Sequence, residues 1–410
     1  MIRSSVRRAE RRSRLRVASA TTLAVACALA PVANASSEPA LLPIDTAALQ
    51  QVVTSMASDL LVPGAVVVLR TPKGNFSTTV GTTTFHGNVP VGLDQHVRVG
   101  SNTKTWTATV ILQQVQEGLL GLDDPVSRFR KDVPNGNNIT IRQLLTMRSG
   151  LANYSETLEF NQTLDREPRK VWTPNELLAL AFRSPPDFAP GTAYHYSNTN
   201  YVLLGLIAEK LDRGKPLPQI FRDRLFAPLG LEDTLLPDSA SSVIPEPRVR
   251  GYMYGDNVLT MGSPPAVPPE MQAAARAGTL APVDQTEASP SWAWAAGGGI
   301  STADELVKWV DALVSGKLLD AGMQKQRLAS VRPVSQDAPN GPQYGWGIAK
   351  MGPFYGHTGE LPGYNSFMGR DPVNDVTLVV WTNLAPAADG RDPATSIARE
   401  LAGKIYAPAK

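Results

Sequence analysis

The sequence has little of what metal, redox and disulfide chemistry requires. Its 410 residues include one cysteine, Cys27, and four histidines. Cys27 lies in an N-terminal stretch that we expect to be removed, which excludes a disulfide framework, an iron–sulfur cluster and a cysteine-ligated zinc site from the mature chain. The histidines show no metal-ligand spacing and the pattern His-Glu-x-x-His is missing, so we predict no metal and no cofactor.

Long apolar runs and a strong charge imbalance are missing as well. Beyond the N-terminal stretch no run reaches the roughly eighteen apolar residues of a membrane helix, and we expect no stable membrane span. The chain has 39 basic and 37 acidic residues, and removing the seven arginines and one glutamate of its first 35 residues leaves 32 and 36. This slightly acidic balance gives no electrostatic basis for binding nucleic acid.

Residues 1–35 predict a secretory signal peptide. An arginine-rich segment, residues 1–16, is followed by an apolar segment, residues 17–30, and by a small-residue cleavage site ending at Ala35. We therefore expect a secreted, extracytoplasmic protein of the cell envelope. The pair Arg11 and Arg12 leaves the general secretory and twin-arginine routes both open, and an uncleaved membrane anchor is the alternative.

Strand patterns occur near both ends of the chain, and helix patterns fill the middle. Apolar, β-rich runs predict strands at residues 63–69, 76–80, 364–367 and 376–382. Helical spacing predicts helices at residues 104–118, 174–182, 201–211, 302–315 and 394–406. The order favours an α/β (α+β) fold: a discontinuous sheet domain, residues 40–105 and 290–408, with a mainly helical inserted domain, residues 106–289.

Ser101 and Lys104 form the first candidate chemical pair. They stand three residues apart at a predicted helix start, so both side chains lie on one face. A serine needs an adjacent base to act as a nucleophile, and a lysine can serve if burial lowers its pKa. By itself the pair is more typical of a helix cap followed by a solvated lysine.

Two further short motifs contain hydroxyl, amide and imidazole groups. Tyr196-Ser-Asn198 could supply a proton shuttle and an amide that recognises a carbonyl, or it could be an ordinary capped turn. In His357-Thr358-Gly359 small residues at a strand would let a substrate backbone pair alongside, while a loop histidine satisfied by backbone is the plainer interpretation.

The three motifs together resemble the penicillin-recognising serine hydrolases, in order and in spacing. The sequence is similar to class C β-lactamases and Streptomyces-type D-alanyl-D-alanine carboxypeptidases over roughly residues 45–405. The resemblance implies a β-lactamase-like fold, with an antiparallel sheet flanked by helices and built from both termini. Other segments that resemble this family are residues 118–125, 139–145, 148–151, 228–231, 297–302 and 344–347.

The resemblance implies a role for each motif residue. Ser101 would be the acylated nucleophile, Lys104 would take or relay its proton, and Tyr196 would act as base and then as acid toward the leaving group. The substrate-binding residues would be Asn198, His357, Thr358, Gly359 and Glu360. The backbone N–H groups of Ser101 and Glu360 would form the oxyanion hole.

Several functions remain open at this point. The first is a carboxypeptidase acting on cell-wall peptides; the alternatives are a related esterase, a β-lactamase, and a penicillin-binding sensor without turnover. The expected partner is a small molecule or peptide: a cell-wall peptide, an ester or a β-lactam. In such carboxypeptidases a carboxylate-binding arginine commonly follows the Tyr-Gly-x-Gly segment. Here the segment continues to Lys350, which either replaces that arginine or leaves the contact absent. Glu360 adds a negative charge beside the expected carboxylate pocket. Trp172, Trp292 and Trp294 are candidates for the cleft lining.

Overall fold

The computed structural model describes residues 39–238 and 240–407, so the predicted signal peptide lies outside the described residues. The strands are β1 (Gly64–Arg70), β2 (Phe76–Gly81), β3 (Val97–Arg98), β4 (Tyr252–Met253), β5 (Val283–Asp284), β6 (Ile300–Ser301), β7 (Arg332–Pro333), β8 (Gln343–Tyr344), β9 (Ala349–Met351), β10 (Phe354–Leu361), β11 (Tyr364–Asp371) and β12 (Val376–Thr382).

The α-helices lie mainly between β3 and β7. They are α1 (Thr46–Asp59), α2 (Thr103–Gln116), α3 (Ile141–Leu145), α4 (Leu158–Arg166), α5 (Pro174–Ala181), α6 (Asn198–Leu211), α7 (Leu217–Phe221), α8 (Ala227–Leu229), α9 (Pro269–Arg276), α10 (Trp294–Gly297), α11 (Ala303–Ser315), α12 (Ala321–Ala329) and α13 (Pro393–Ile405). The five predicted helices correspond to α2, α5, α6, α11 and α13, with ends that differ by a few residues.

The main sheet joins the two ends of the chain. Its order is β2-β1-β12-β11-β10-β9-β8-β7, and its neighbouring strands are antiparallel. The prediction of an antiparallel sheet built from both termini is thereby confirmed. The division into a sheet domain, residues 40–105 and 290–408, and a helical insertion, residues 106–289, stays a prediction.

The continuous apolar run of β1 explains why helices cover both faces of the sheet. Val66 and Val68 point into a core shared with α2, α6 and α11, whereas Ala65, Val67 and Leu69 point into a core shared with α1 and α13. Successive side chains of a strand point to opposite faces, so a continuous apolar run needs cover on both sides.

One edge of β10 is left open beside the start of α2. β11 pairs with β10 from Tyr355 to Leu361, but β9 pairs with it only from Phe354 to Gly356. From His357 onward the second edge of the strand therefore faces the 3-10 turn Gly100–Asn102 that precedes α2. This placement brings two of the sequence motifs together.

Candidate active site

Ser101 lies in a tight backbone turn pressed against β10. Gly100 has φ +54°, and a Cβ built on it would lie 2.4 Å from the backbone nitrogen of Glu360. Only glycine fits both the left-handed conformation and this close approach. The turn therefore holds Ser101 beside the open edge of β10, at a helix start where backbone N–H groups lack intrahelical acceptors.

The Lys104 side chain is fully buried one turn along α2. Its Nζ lies 2.9 Å from Ser101 Oγ, 2.7 Å from Asn198 Oδ1 and 2.6 Å from the carbonyl oxygen of Ala296. Burial lowers the pKa of Lys104 well below its ordinary value. A neutral amine has two N–H donors, which the two carbonyl oxygens can take, so its lone pair is free to accept the proton of Ser101.

Tyr196 completes the cluster around the serine. Its hydroxyl hydrogen-bonds Ser101, and Lys104 Nζ lies 4.7 Å from its ring centroid. Burial raises the pKa of Tyr196 well above its ordinary value, although the hydrogen bond to Ser101 opposes the shift. The phenol is therefore protonated at neutral pH, the state of a group that donates a proton.

His357 is buried in β10, and both ring nitrogens have partners inside the protein. Nδ1 lies 2.6 Å from the carbonyl oxygen of Thr358, which can only accept, so this nitrogen carries the hydrogen. Nε2 lies 3.0 Å from the hydroxyl of Tyr344 and accepts from it. Burial lowers the pKa of His357 to about 3, and Lys104, whenever its amine is protonated, acts in the same direction. The ring is neutral at neutral pH, and both of its nitrogens are engaged by groups of the protein.

Gly359 and Glu360 sit on the part of β10 that faces the serine turn. A Cβ on Gly359 would stand 1.9 Å from the carbonyl oxygen of Val99, so the glycine of the His-Thr-Gly motif allows this contact. Leu361 and Tyr364 close a two-residue turn. Because hydrogen-bonded and non-hydrogen-bonded pairs alternate in an antiparallel ladder, the N–H of Glu360 points away from β11, toward the open edge.

A cleft of about 350 Å³ opens over Ser101. Among the described residues that line it, Glu156 and Glu360 have carboxyl side chains, and no lysine, arginine or histidine is present. Trp292 lines the cleft, whereas Trp172 and Trp294 are buried in the core. The cleft is therefore acidic.

Asn198 is tied into a polar network at the cleft wall. Its Oδ1 accepts from Lys104 and its Nδ2 donates to Ser155 Oγ at 3.0 Å. Asn153 accepts from the backbone N–H of Asn198 at 3.1 Å and donates to Glu156 Oε1 at 3.0 Å. This network links Asn198 of the Tyr-Ser-Asn motif to the carboxylate of Glu156 through Asn153.

His195 bridges two carboxylates near the Ser101–Lys104–Tyr196 cluster. Its Nε2 lies 3.2 Å from Glu156 Oε2, and its Nδ1 lies 2.6 Å from Asp187 Oδ2. Burial disfavours the charged ring, but the hydrogen bonds and charges of Asp187 and Glu156 outweigh it and raise the pKa. The protonated ring can donate to both carboxylates and so holds Glu156 at the cleft.

Glu156, His195 and Tyr344 were not assigned roles from the sequence. Tyr344 belongs to a segment noted only for its resemblance, and Glu156 has no periodic or motif context. Lys350 lies on β9 with Nζ 5.3 Å from the Tyr355 ring centroid and is not among the residues that line the cleft. Within residues 39–238 and 240–407, no group of three or more His, Cys, Asp and Glu side chains is placed to hold a metal ion.

The beta-lactamase family model matches residues 49–402, nearly the whole described chain. The chain belongs to the beta-lactamase family. Among relatives, penicillin-binding protein 4 of Amycolatopsis lactamdurans is 25% identical over 381 residues, which cover 89% of this chain and 91% of that protein. The putative penicillin-binding protein PbpX of Bacillus subtilis is 26% identical over 70% of this chain, which spans 61% of that relative's length.

Solved structures of this family include close structural matches. A D-stereospecific amidohydrolase from Streptomyces sp. matches with a TM-score of 0.73 and 31% identity, over 87% of this chain and 98% of that one. D-amino acid amidase from Ochrobactrum anthropi SV3, complexed with L-phenylalanine, matches with a TM-score of 0.70 and 27% identity, over 86% and 96%. The chain is thus a member of a group of serine hydrolases with the β-lactamase fold. In the described part of the chain no helix is both long and apolar enough to cross a membrane.

Proposed function

We propose that this protein is a serine amidohydrolase that cleaves small amides and peptides of D-amino acids carrying a free α-amine. The observation that carries the proposal is the acidic cleft directly over the Ser101–Lys104–Tyr196 cluster. Two solved structures similar to this chain are a D-stereospecific amidohydrolase and a D-amino acid amidase, and both names support the same substrate class.

In the proposed acylation step Ser101 Oγ attacks the amide carbonyl carbon. Its proton passes to neutral Lys104, whose buried amine lies 2.9 Å away. The backbone N–H groups of Ser101 and Glu360 stabilise the oxyanion. Tyr196 gives its proton to the leaving nitrogen as the C–N bond breaks, and Lys104 returns a proton to the phenolate. Water then attacks the ester and releases the acid and free Ser101 by the reverse route.

The polar wall of the cleft fits an ammonium group better than a carboxylate. Glu156 is fixed by Asn153 and His195, so its carboxylate is positioned before a substrate arrives. A charged amine paired with it gains a charge-assisted hydrogen bond, and positioning in advance lowers the entropic cost of binding. Asn198 is assigned to the substrate amide through its Nδ2, and Thr358 to the leaving-group side.

The second candidate is a D-alanyl-D-alanine carboxypeptidase of cell-wall peptides. The His357-Thr-Gly359 motif and the relatives called penicillin-binding proteins favour it. A terminal carboxylate needs a cation, however, and the described cleft lining includes none. An esterase, a β-lactamase and a sensor without turnover are the further alternatives, and secretion to the cell envelope through residues 1–35 remains part of the proposal.

Two measurements test the function. Purified protein is incubated with D-phenylalaninamide, its L-enantiomer and a dipeptide, and the released ammonia or amino acid is quantified. We expect hydrolysis of the D-amide that is lost in Ser101→Ala. Intact-mass spectrometry and peptide mapping after exposure to a penicillin should place an adduct on Ser101. Release of D-alanine from a diacyl peptide, with no hydrolysis of the D-amide, would favour the carboxypeptidase instead.

A further inference from the structure

Two acidic residues meet at the leaving-group side of the catalytic cluster. Glu360, whose backbone faces the serine turn, lines the cleft over Ser101. Asp392, the residue before α13, lines a neighbouring cavity of about 610 Å³ together with Tyr196, His357 and Thr358. The two carboxyl groups hydrogen-bond each other. The pair therefore lies where the cleft over Ser101 and the neighbouring cavity come together beside β10.

One of the two acidic groups must carry the shared hydrogen. Glu360 is exposed to solvent; partial desolvation, together with the hydrogen bond and the charge of Asp392, raises its pKa above the ordinary value. The protonated Glu360 donates to Asp392, so the pair retains one negative charge. With its hydrogen committed to Asp392, Glu360 has no donor left for a substrate carboxylate.

The position of Tyr196 indicates which part of a bound substrate lies beside Glu360 and Asp392. Tyr196 lines both the cleft and the neighbouring cavity. As the proposed proton donor to the leaving nitrogen, it places the leaving group on the side of Thr358 and Asp392. Arg399 also lines this cavity, but it stands seven residues beyond Asp392, about 10 Å along a helix axis. A carboxylate one residue from the scissile bond would therefore meet the acidic pair first.

We propose that Glu360 and Asp392 select the leaving group, by rejecting substrates whose leaving group has a carboxylate next to the scissile bond. The pair favours ammonia, amines and amidated amino acids as leaving groups. This inference rests on the proposed amidohydrolase function and narrows its substrate class. Like charges placed together disfavour the wrong partner, so discrimination arises through repulsion rather than through an added attractive contact.

The test compares two substrates that differ in one charge. D-phenylalanyl-D-alaninamide and D-phenylalanyl-D-alanine share the acyl group and the scissile bond, and kcat/KM is measured for both at low ionic strength. We expect the amidated dipeptide to be preferred at least about tenfold by the wild type. In Asp392→Asn and in Glu360→Gln that preference should fall at least about threefold. Asparagine is also a good residue before a helix, so Asp392→Asn should fold.

Glu400→Gln is the matched control, because it removes an exposed carboxylate from the same helix without lining either cavity. Its preference ratio should equal that of the wild type. Equal hydrolysis of both dipeptides by the wild type, or a ratio that Asp392→Asn and Glu360→Gln leave unchanged, overturns the inference while the function stands. Hydrolysis of neither dipeptide nor D-phenylalaninamide overturns the proposed function and the inference with it.

Discussion

Gly359 of β10 and Val99, before the serine turn, are in contact so close that a side chain on Gly359 would overlap the Val99 carbonyl oxygen. A methyl group there would push β10 away from the turn and move the N–H of Glu360 relative to Ser101. The third residue of the His-Thr-Gly motif therefore sets the spacing between β10 and the serine turn, where we propose the oxyanion hole.

Gly359→Ala should lower both activity and stability. We expect hydrolysis to fall by at least about 100-fold, the cost typical of losing an oxyanion donor, and the thermal midpoint to fall by several degrees. Gly403 of α13 has open space around it, so Gly403→Ala is the matched control. It should raise stability by up to about 1 kcal/mol, since alanine favours helix. Thermal unfolding and the rate of D-phenylalaninamide hydrolysis are the measurements.

Lys104→Ala should abolish acylation. Loss of a positioned base typically costs about 10²–10⁴-fold, and acyl-enzyme formation can be followed by intact mass. Because burial lowers the pKa of Lys104, the wild-type rate should rise with pH as the ammonium loses its proton, with a midpoint below the ordinary lysine range. Lys404→Ala, at an exposed position on α13, should keep the wild-type profile. A wild-type acid limb retained in Lys104→Ala would contradict the assignment.

Tyr196→Phe should affect amides far more than activated esters. An amide needs a proton on its leaving nitrogen, whereas p-nitrophenolate leaves without one. We expect a loss of about 10²-fold or more for D-phenylalaninamide and a much smaller loss for a p-nitrophenyl ester of the same acid. Equal losses on both substrates would point to a role of Tyr196 in activating Ser101 instead.

His195 should make the KM for amine-bearing substrates depend on pH. Its pKa is raised, so the ring is protonated below that pKa and donates to both Glu156 and Asp187; as pH rises through it, one donor is lost. The KM for D-phenylalaninamide should then rise. In His195→Gln, which keeps an uncharged donor near Glu156, this rise should be smaller on the same substrate. Using one substrate for both proteins cancels the titration of its own amine.

His357 should contribute no titration near neutral pH, because its pKa of about 3 keeps the ring neutral. His357→Ala removes the donor to the Thr358 carbonyl and the acceptor of the Tyr344 hydroxyl, and leaving buried polar groups unsatisfied typically costs about 1–3 kcal/mol of stability. His357→Asn, whose Nδ2 can replace the Nδ1 hydrogen, should recover part of that loss. Urea unfolding of both variants checks the difference, and a wild-type activity limb that disappears in His357→Asn would argue against a neutral ring.

The parts of the site that could be predicted from sequence are those set by local geometry. Ser101 and Lys104 are three apart at a helix start, and that spacing places both side chains on one face, where they can meet. The fold class could also be predicted, because apolar strand patterns occur near both ends of the chain with helix patterns between them. Such strands bury their apolar faces by pairing in one sheet. Glu156, Tyr344 and Asp392 come from three separate segments, and only the tertiary fold brings each beside a motif residue.

The sequence shows that residue 360 is a glutamate, but it does not show the protonation state of that side chain. Its negative charge argued against a carboxylate-bearing substrate, yet the state of the side chain depends on Asp392, more than thirty residues later in the chain. The neutral state of His357 could not be predicted for a similar reason. Its pKa is lowered by burial in the folded protein and by the nearby Lys104, which belongs to a different element.

The open edge of β10 also bears on how the protein avoids association. An unpaired strand edge is a template for a strand of another chain. Here it runs only from His357 to Leu361, is covered by the turn Gly100–Asn102 and includes the acidic Glu360. A short flexible peptide can reach such a recessed edge, whereas the edge strand of a folded protein cannot. This segment of β10 can therefore keep a recessed backbone for recognition while the cover of the turn disfavours pairing with a strand of another chain.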